Sequence, residues 1–148
     1  MERSPKESAA PARLFVDSCA WLAFFSARDR LHAEADRLMR VAVEKRLPLL
    51  TSNLVVAEVH RLLLFRAGIA PARKAIEQME ASSLVVMKFA DQKAHRAAQA
   101  WLSKLGDQVI SYADATSFAL MEASRCDVAF SFDSDFRIGG FSLWQDHA

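Results

Sequence analysis

Residues 14–27 read LFVDSCAWLAFFSA. Three residues of buried-strand character, Leu14, Phe15 and Val16, run into Asp17, and a helix-like apolar stretch from Cys19 to Ala27 follows directly. A strand that passes through one carboxylate into a helix is the opening of a β–α unit. The carboxylate then stands at the carboxyl end of the strand, where open α/β sheets bind their ligands.

The same alternation continues outward from this stretch. Residues 30–46 carry apolar side chains at 31, 35, 38 and 42, the spacing of one helix face. Leu47 to Thr51 reads as a second strand, with Pro48 near its start. Ser52 or Asn53 can cap the next helix, LVVAEVHRLLLFRAG, which stops at Gly68. That helix is apolar nearly all round, so burial is expected, partly against another subunit. Pro71 begins a fourth helix, Leu84 to Phe89 is a third strand, and Asp91 caps a helix ending before Gly106. Tyr112 to Arg125 is a further helix, Val128 to Phe132 a fourth strand and Phe141 to Trp144 a fifth. Strands alternating with helices at this interval predict a layered α/β domain with a mainly parallel sheet.

Of the 148 residues, 52% are apolar and 25% charged, which suits one globular domain and excludes wholesale disorder. The formal charge of +1 argues against a protein that coats nucleic acid or membrane through a global field. Residues 1–13 (MERSPKESAAPAR) form a polar stretch without an apolar leader, read as a flexible tail before a domain spanning 14–148. Cys19 and Cys126 are too few and too distant for a disulfide scaffold or a zinc site, which makes the cytoplasm the expected compartment. No apolar run approaches the roughly 18 residues of a membrane span. With four glycines, neither a GxGxxG turn nor a P-loop is present.

Separate elements deliver carboxylates towards one end of the predicted sheet. Asp17 ends the first strand, Asp133 and Asp135 follow the fourth in SFDSDF, Asp114 opens a helix, and Glu58 lies early in the helix after strand two. Each has a simpler explanation: a helix cap for Asp17, a favourable helix dipole for Asp114, a turn for Asp133 and Asp135. Glu58 stands among Val55, Val56, Ala57, Val59 and Leu62, where an ionised carboxylate is costly unless Arg61, one turn on, compensates it. Converging carboxylates repel one another unless cations neutralise them. Hard divalent ions with oxygen ligands, Mg²⁺ or Mn²⁺, do so, and such a site suits phosphodiester hydrolysis.

Four stretches occur together in one order: LFVDS with Asp17, TSNLVVAEVHRLL with Glu58, SYADATSFALM with Asp114, and AFSFDSDF with Asp133. In this the chain resembles the PIN-domain ribonucleases of the VapC toxin type, over about residues 14–146. The resemblance implies a three-layer α/β/α fold with a five-stranded, mainly parallel sheet in order 3-2-1-4-5. It also implies an endoribonuclease using one or two Mg²⁺ or Mn²⁺ ions, the toxin of a toxin–antitoxin pair. Asp17, Glu58 and Asp114 match the core metal ligands and Asp133 the fourth acidic residue. Asp135 stands at a position that varies between members. Ser18 and Ser131 match supporting hydroxyl positions. A small antitoxin bound across the acidic groove and a homodimer are the implied partners. The tail before Leu14 departs from members that start at the first strand.

Arg28, Arg30, Arg61, Arg66, Lys104 and Arg137 are candidate RNA contacts, Arg137 foremost because it follows the acidic turn; the simpler reading of each is a solvated charge. Phe24, Phe25, Phe65, Trp101, Phe118 and Trp144 read as core rather than base-stacking residues, and the cysteines as small buried residues. The four histidines show no ligand spacing. A phosphotransfer receiver would carry paired acids after the first strand, and a haloacid-dehalogenase-like phosphatase DxD there; neither pattern is present. The remaining alternative is a catalytically silent PIN-like binding or scaffold module.

Overall fold

The computed structural model describes residues 10–148, so most of the predicted tail lies outside the described residues. In chain order the elements are β1 Leu14–Val16, α1 Ser18–Phe25, α2 His32–Glu44, β2 Leu49–Ser52, α3 Asn53–Ala67, α4 Ile69–Ala81, β3 Val85–Lys88 and α5 Gln92–Lys104. They continue with α6 Tyr112–Ala123, β4 Val128–Phe130, α7 Asp135–Ile138, β5 Ser142–Leu143 and a 3₁₀ turn, Trp144–Asp146. Every strand pair is parallel and the order is β3-β2-β1-β4-β5. This is the sheet the resemblance implies. The central strand is the most apolar one: Leu14, Phe15 and Val16 are fully buried, as a strand covered by helices on both faces must be.

Helices α1 to α4 pack together on one side, where the Trp21 indole N–H donates to Thr51 Oγ1 on β2. Helices α5 and α6 pack against each other on the opposite side. There Phe118 of α6 meets Trp101, Phe136 and Phe141 with ring centroids 5.3–5.4 Å apart. Trp144, buried to 1% exposure, closes the core by donating its indole N–H to the Leu38 carbonyl of α2 at 3.0 Å.

Four local expectations change. Helix α3 is not buried all round: Val55, Val59 and Leu63 form its covered stripe, while Phe65, expected in the core, is 79% exposed. Helix α4 begins at Ile69, before Pro71, because a proline in the first turn forfeits no intrahelical bond. Strand β4 stops at Phe130 because the backbone donors that follow go to side chains, the Phe132 N–H to Cys19 Sγ and the Asp133 N–H to Ser131 Oγ. The SFDSDF turn winds into α7, started by Asp133 Oδ1 accepting the Asp135 N–H at 2.9 Å. Among the described residues, no helix is long and apolar enough to cross a membrane.

Trp144→Ala removes both a large buried ring and a bond between segments far apart in sequence. The expected cost is roughly 3–5 kcal/mol of stability, read from urea unfolding; Trp144→Phe should lose clearly less.

Candidate active site

The parallel register places the acidic end of the sheet. Phe15 pairs with Leu50 on one side and Ala129 on the other, and Leu50 in turn with Val86. Two residues further along each strand, on the same face, stand Asp17, Ser52, Ser131 and Lys88, with Ser52 paired to Lys88. Asp17 and Ser131 are therefore level neighbours, and the Ser131 hydroxyl donates to Asp17 Oδ2 at 3.1 Å. Asp17 occupies the N-cap position of α1, but its carboxylate caps nothing. It is 7% exposed, and burial pushes its carboxyl up to about 6, helped by the charge of Glu58 and opposed by the Ser18 amide, Ser131 and Cys19.

Two further elements bring their acids to this point. Ser111 caps α6 by accepting the Asp114 N–H at 3.0 Å, which fixes Asp114 in the first turn of that helix. Ser131 Oγ accepts the Asp133 N–H at 3.0 Å, so one hydroxyl ties Asp17 to the loop carrying Asp133. Carboxylate oxygens of Asp114, Asp133 and Asp135 all lie within 4.8 Å of one another. Partial burial, then the charges of Asp17, Asp133 and Asp135, push the Asp114 carboxyl up to about 7; burial and Asp133 also raise Asp135. The simpler readings of Asp114 and Asp133, a first-turn acid and a turn residue, hold as local structure. They do not explain why the carboxylates converge.

Glu58 departs from its expectation. Its side chain lies on the exposed part of α3, so the apolar neighbours do not desolvate it, and among the described residues it makes no ion pair with Arg61. Its charge is among the influences that raise the Asp17 carboxyl, after burial. Cys19, in sequence a small apolar residue, is part of the hydrogen-bond network around Asp17. Its Sγ lies 3.5 Å from Asp17 Oδ2 and 3.2 Å from Ser131 Oγ, and accepts the Phe132 N–H at 3.4 Å. Ser18 contributes its amide, whereas the side-chain thiol aimed at Asp17 comes one residue later. The position of Cys19 in the first turn after Asp17 was the available signal.

The candidate cationic residues divide. Arg137 pairs with Asp146 at 2.7 Å, Arg66 lies 3.8 Å from Asp29, and the Lys104 ammonium sits 4.8 Å over the Trp101 ring. Arg28, Arg30 and Arg61 are exposed, with no ion pair among the described residues.

Asp114, Asp133 and Asp135 offer only oxygen donors, and burial together with neighbouring carboxylates raises Asp114 and Asp135. That donor set fits a hard divalent cation.

Residues 14–141 match the PIN domain family. The 23S rRNA-specific endonuclease VapC20 of Mycobacterium tuberculosis, from two strains, is 34% identical over 128 residues, 86% of this chain and 95% of the relative. The crystal structure of M. tuberculosis VapC20, described as a sarcin-ricin loop cleaving toxin, has a TM-score of 0.77 at 32% identity, covering 86% of this chain and 95% of that one. A parallel sheet whose central strand delivers a buried aspartate to an acidic cluster, joined to these likenesses over most of the chain, places the protein in the PIN-domain family as a homologue of the VapC-type ribonuclease toxins.

Proposed function

We propose that this protein is a Mg²⁺- or Mn²⁺-dependent endoribonuclease, the toxin of a toxin–antitoxin pair acting in the cytoplasm. The observation that carries the reading is the packing of Asp114, Asp133 and Asp135 within 4.8 Å beside the buried Asp17. Asp114, Asp133 and Asp135 are the closest donor set for one ion. Asp17 and Glu58 complete its surroundings or, with a second ion, share it. When bound, the ion polarises the scissile phosphate and lowers the pKa of the attacking water. The chain's own part is positional. Ser131 and Cys19 hold the Asp17 carboxylate, Ser131 and the α7 turn hold Asp133, and the Ser111 cap holds Asp114. Arg28, Arg30 and Arg61 supply exposed cations for RNA phosphates. The scaffold alternative is disfavoured because every acidic position is present. The 23S rRNA named for the mycobacterial relative is the first substrate to test.

An antitoxin would inhibit by laying a basic side chain over the carboxylates. A homodimer would cover the apolar surface around Phe65 and Ile69, which are 79% and 70% exposed. Phe65→Glu should then shift the protein to monomer in size-exclusion chromatography; an unchanged elution volume would remove this face from the dimer.

Asp114→Asn removes a donor without changing side-chain size. RNA cleavage with Mn²⁺ should fall at least about 100-fold, while circular dichroism stays native. Wild-type cleavage by this variant would sink the assignment.

The raised carboxyls make a separate, thermodynamic prediction. The folded chain keeps protons on Asp17 up to about pH 6 and on Asp114 up to about 7, whereas the unfolded chain releases them near 3.8. Native stability without divalent ions therefore falls as pH rises from about 4 to 7, by roughly 3 kcal/mol for Asp17 alone. Thermal unfolding in a chelating buffer should give a higher Tm at pH 5 than at pH 8. Mn²⁺ should restore the loss at pH 8.

A further inference from the structure

A groove of about 430 Å³ lies on the Asp17 face of the sheet, lined by Arg13, Lys88 and Arg125 around a floor that includes Leu50 and Val86. Its position follows from the register. Val86 and Lys88 project to the same face of β3, Leu50 pairs with Val86, and Ser52 with Lys88. Lys88 is therefore level with Asp17 and two strand spacings away, roughly 10 Å. From that level the groove runs down β2 and β3 to the opposite end of the sheet. There Arg13 precedes β1, and Arg125 follows α6.

The chemistry of the lining is one-sided. No carboxylate lines the groove, and none of its three cations takes part in an ion pair among the described residues. Lys88 and Arg13 are nevertheless half-buried. The Arg13 guanidinium is held in place, Nη1 donating to the Ser124 carbonyl at 2.6 Å. Arg125 sits at φ 52° just past the end of α6, a left-handed position usually given to glycine, with Cys126 N–H bonded back to Met121 O at 2.9 Å.

We infer that this groove is a second anchoring site for RNA, in which Arg13, Lys88 and Arg125 neutralise backbone phosphates beyond the nucleotides at the scissile bond. The inference rests on the endoribonuclease reading and deepens it: the substrate is a chain long enough to lie across the sheet face, not a short fragment. A dinucleotide reaches only the acidic end. A longer strand runs past Lys88 towards Arg125, and its affinity carries the counterion release of the extra contacts.

The test uses the full chain carrying Lys88→Gln and Arg125→Asn; asparagine tolerates the left-handed backbone, and Arg13 is left intact because it holds Ser124. Binding of a long single-stranded homopolymeric RNA is measured against salt concentration. Loss of two phosphate contacts should make the slope of log K against log salt shallower by about 1.4. With ribosomal RNA as substrate, KM should rise while kcat and the rate on a dinucleotide stay at wild-type values. A wild-type salt slope in a protein that still cuts RNA would overturn the groove and leave the nuclease reading standing. No cleavage by the unmodified protein with Mg²⁺ or Mn²⁺ would instead overturn the reading beneath it. A change of oligomeric state without a change of slope would assign the groove to a protein interface and overturn the inference as well.

Discussion

A carboxylate buried at the end of the central strand is the constraint around which this molecule is arranged. Asp17 is covered because β1 lies between two strands on either side and helices on both faces, and a charge there is expensive. The surroundings offset part of that cost with a hydroxyl, a thiol and an amide. Those groups in turn dictate local structure. Ser131 donates to Asp17 and receives the Asp133 amide, and Cys19 receives the Phe132 amide, so β4 ends after Phe130 and the freed chain winds into α7. The remainder of the cost stays in the site as a raised pKa, and a divalent cation would relieve it.

The elements that could be read from the sequence are those fixed by local chemistry. The LFV strand, the Ser52 and Asp91 caps and the stop at Gly68 depend on residues within one turn of each other. Strand order is not a local property; it came from a resemblance carried by four motifs in one order. Asp17, Asp114 and Asp133 were legible for the same reason, since each sits at a strand end or helix start that the pattern locates.

What escaped the sequence depended on contacts between distant segments. Glu58 looked desolvated because its sequence neighbours are apolar, yet only the Val55–Val59–Leu63 stripe of α3 faces the core and the rest of that helix meets solvent. Phe65 failed in the same way. Cys19 looked inert because its partners, Ser131 and Phe132, are more than a hundred positions along the chain. In sequence, Lys88 is a single charge within an ordinary apolar strand. Its significance appears only when two parallel registers set it level with Asp17.

The near-zero net charge takes a different meaning once those positions are known. A neutral total suggests that acids and bases cancel, but cancellation needs proximity. Lys88 stands roughly 10 Å from Asp17 by strand spacing, and no cation is among the groups that set the Asp17 carboxyl. Nor do Asp114 and Asp133 have a cation among the groups that set the Asp114 carboxyl; its neighbours there are other carboxylates. The two fields therefore coexist on one face of the sheet without neutralising each other. Each must find its counterions outside the chain. Small hard cations suit the compact oxygen cluster, and an extended polyanion suits cations strung along a groove. A phosphodiester strand with bound divalent ions satisfies both at once, which a neutral average would never have suggested.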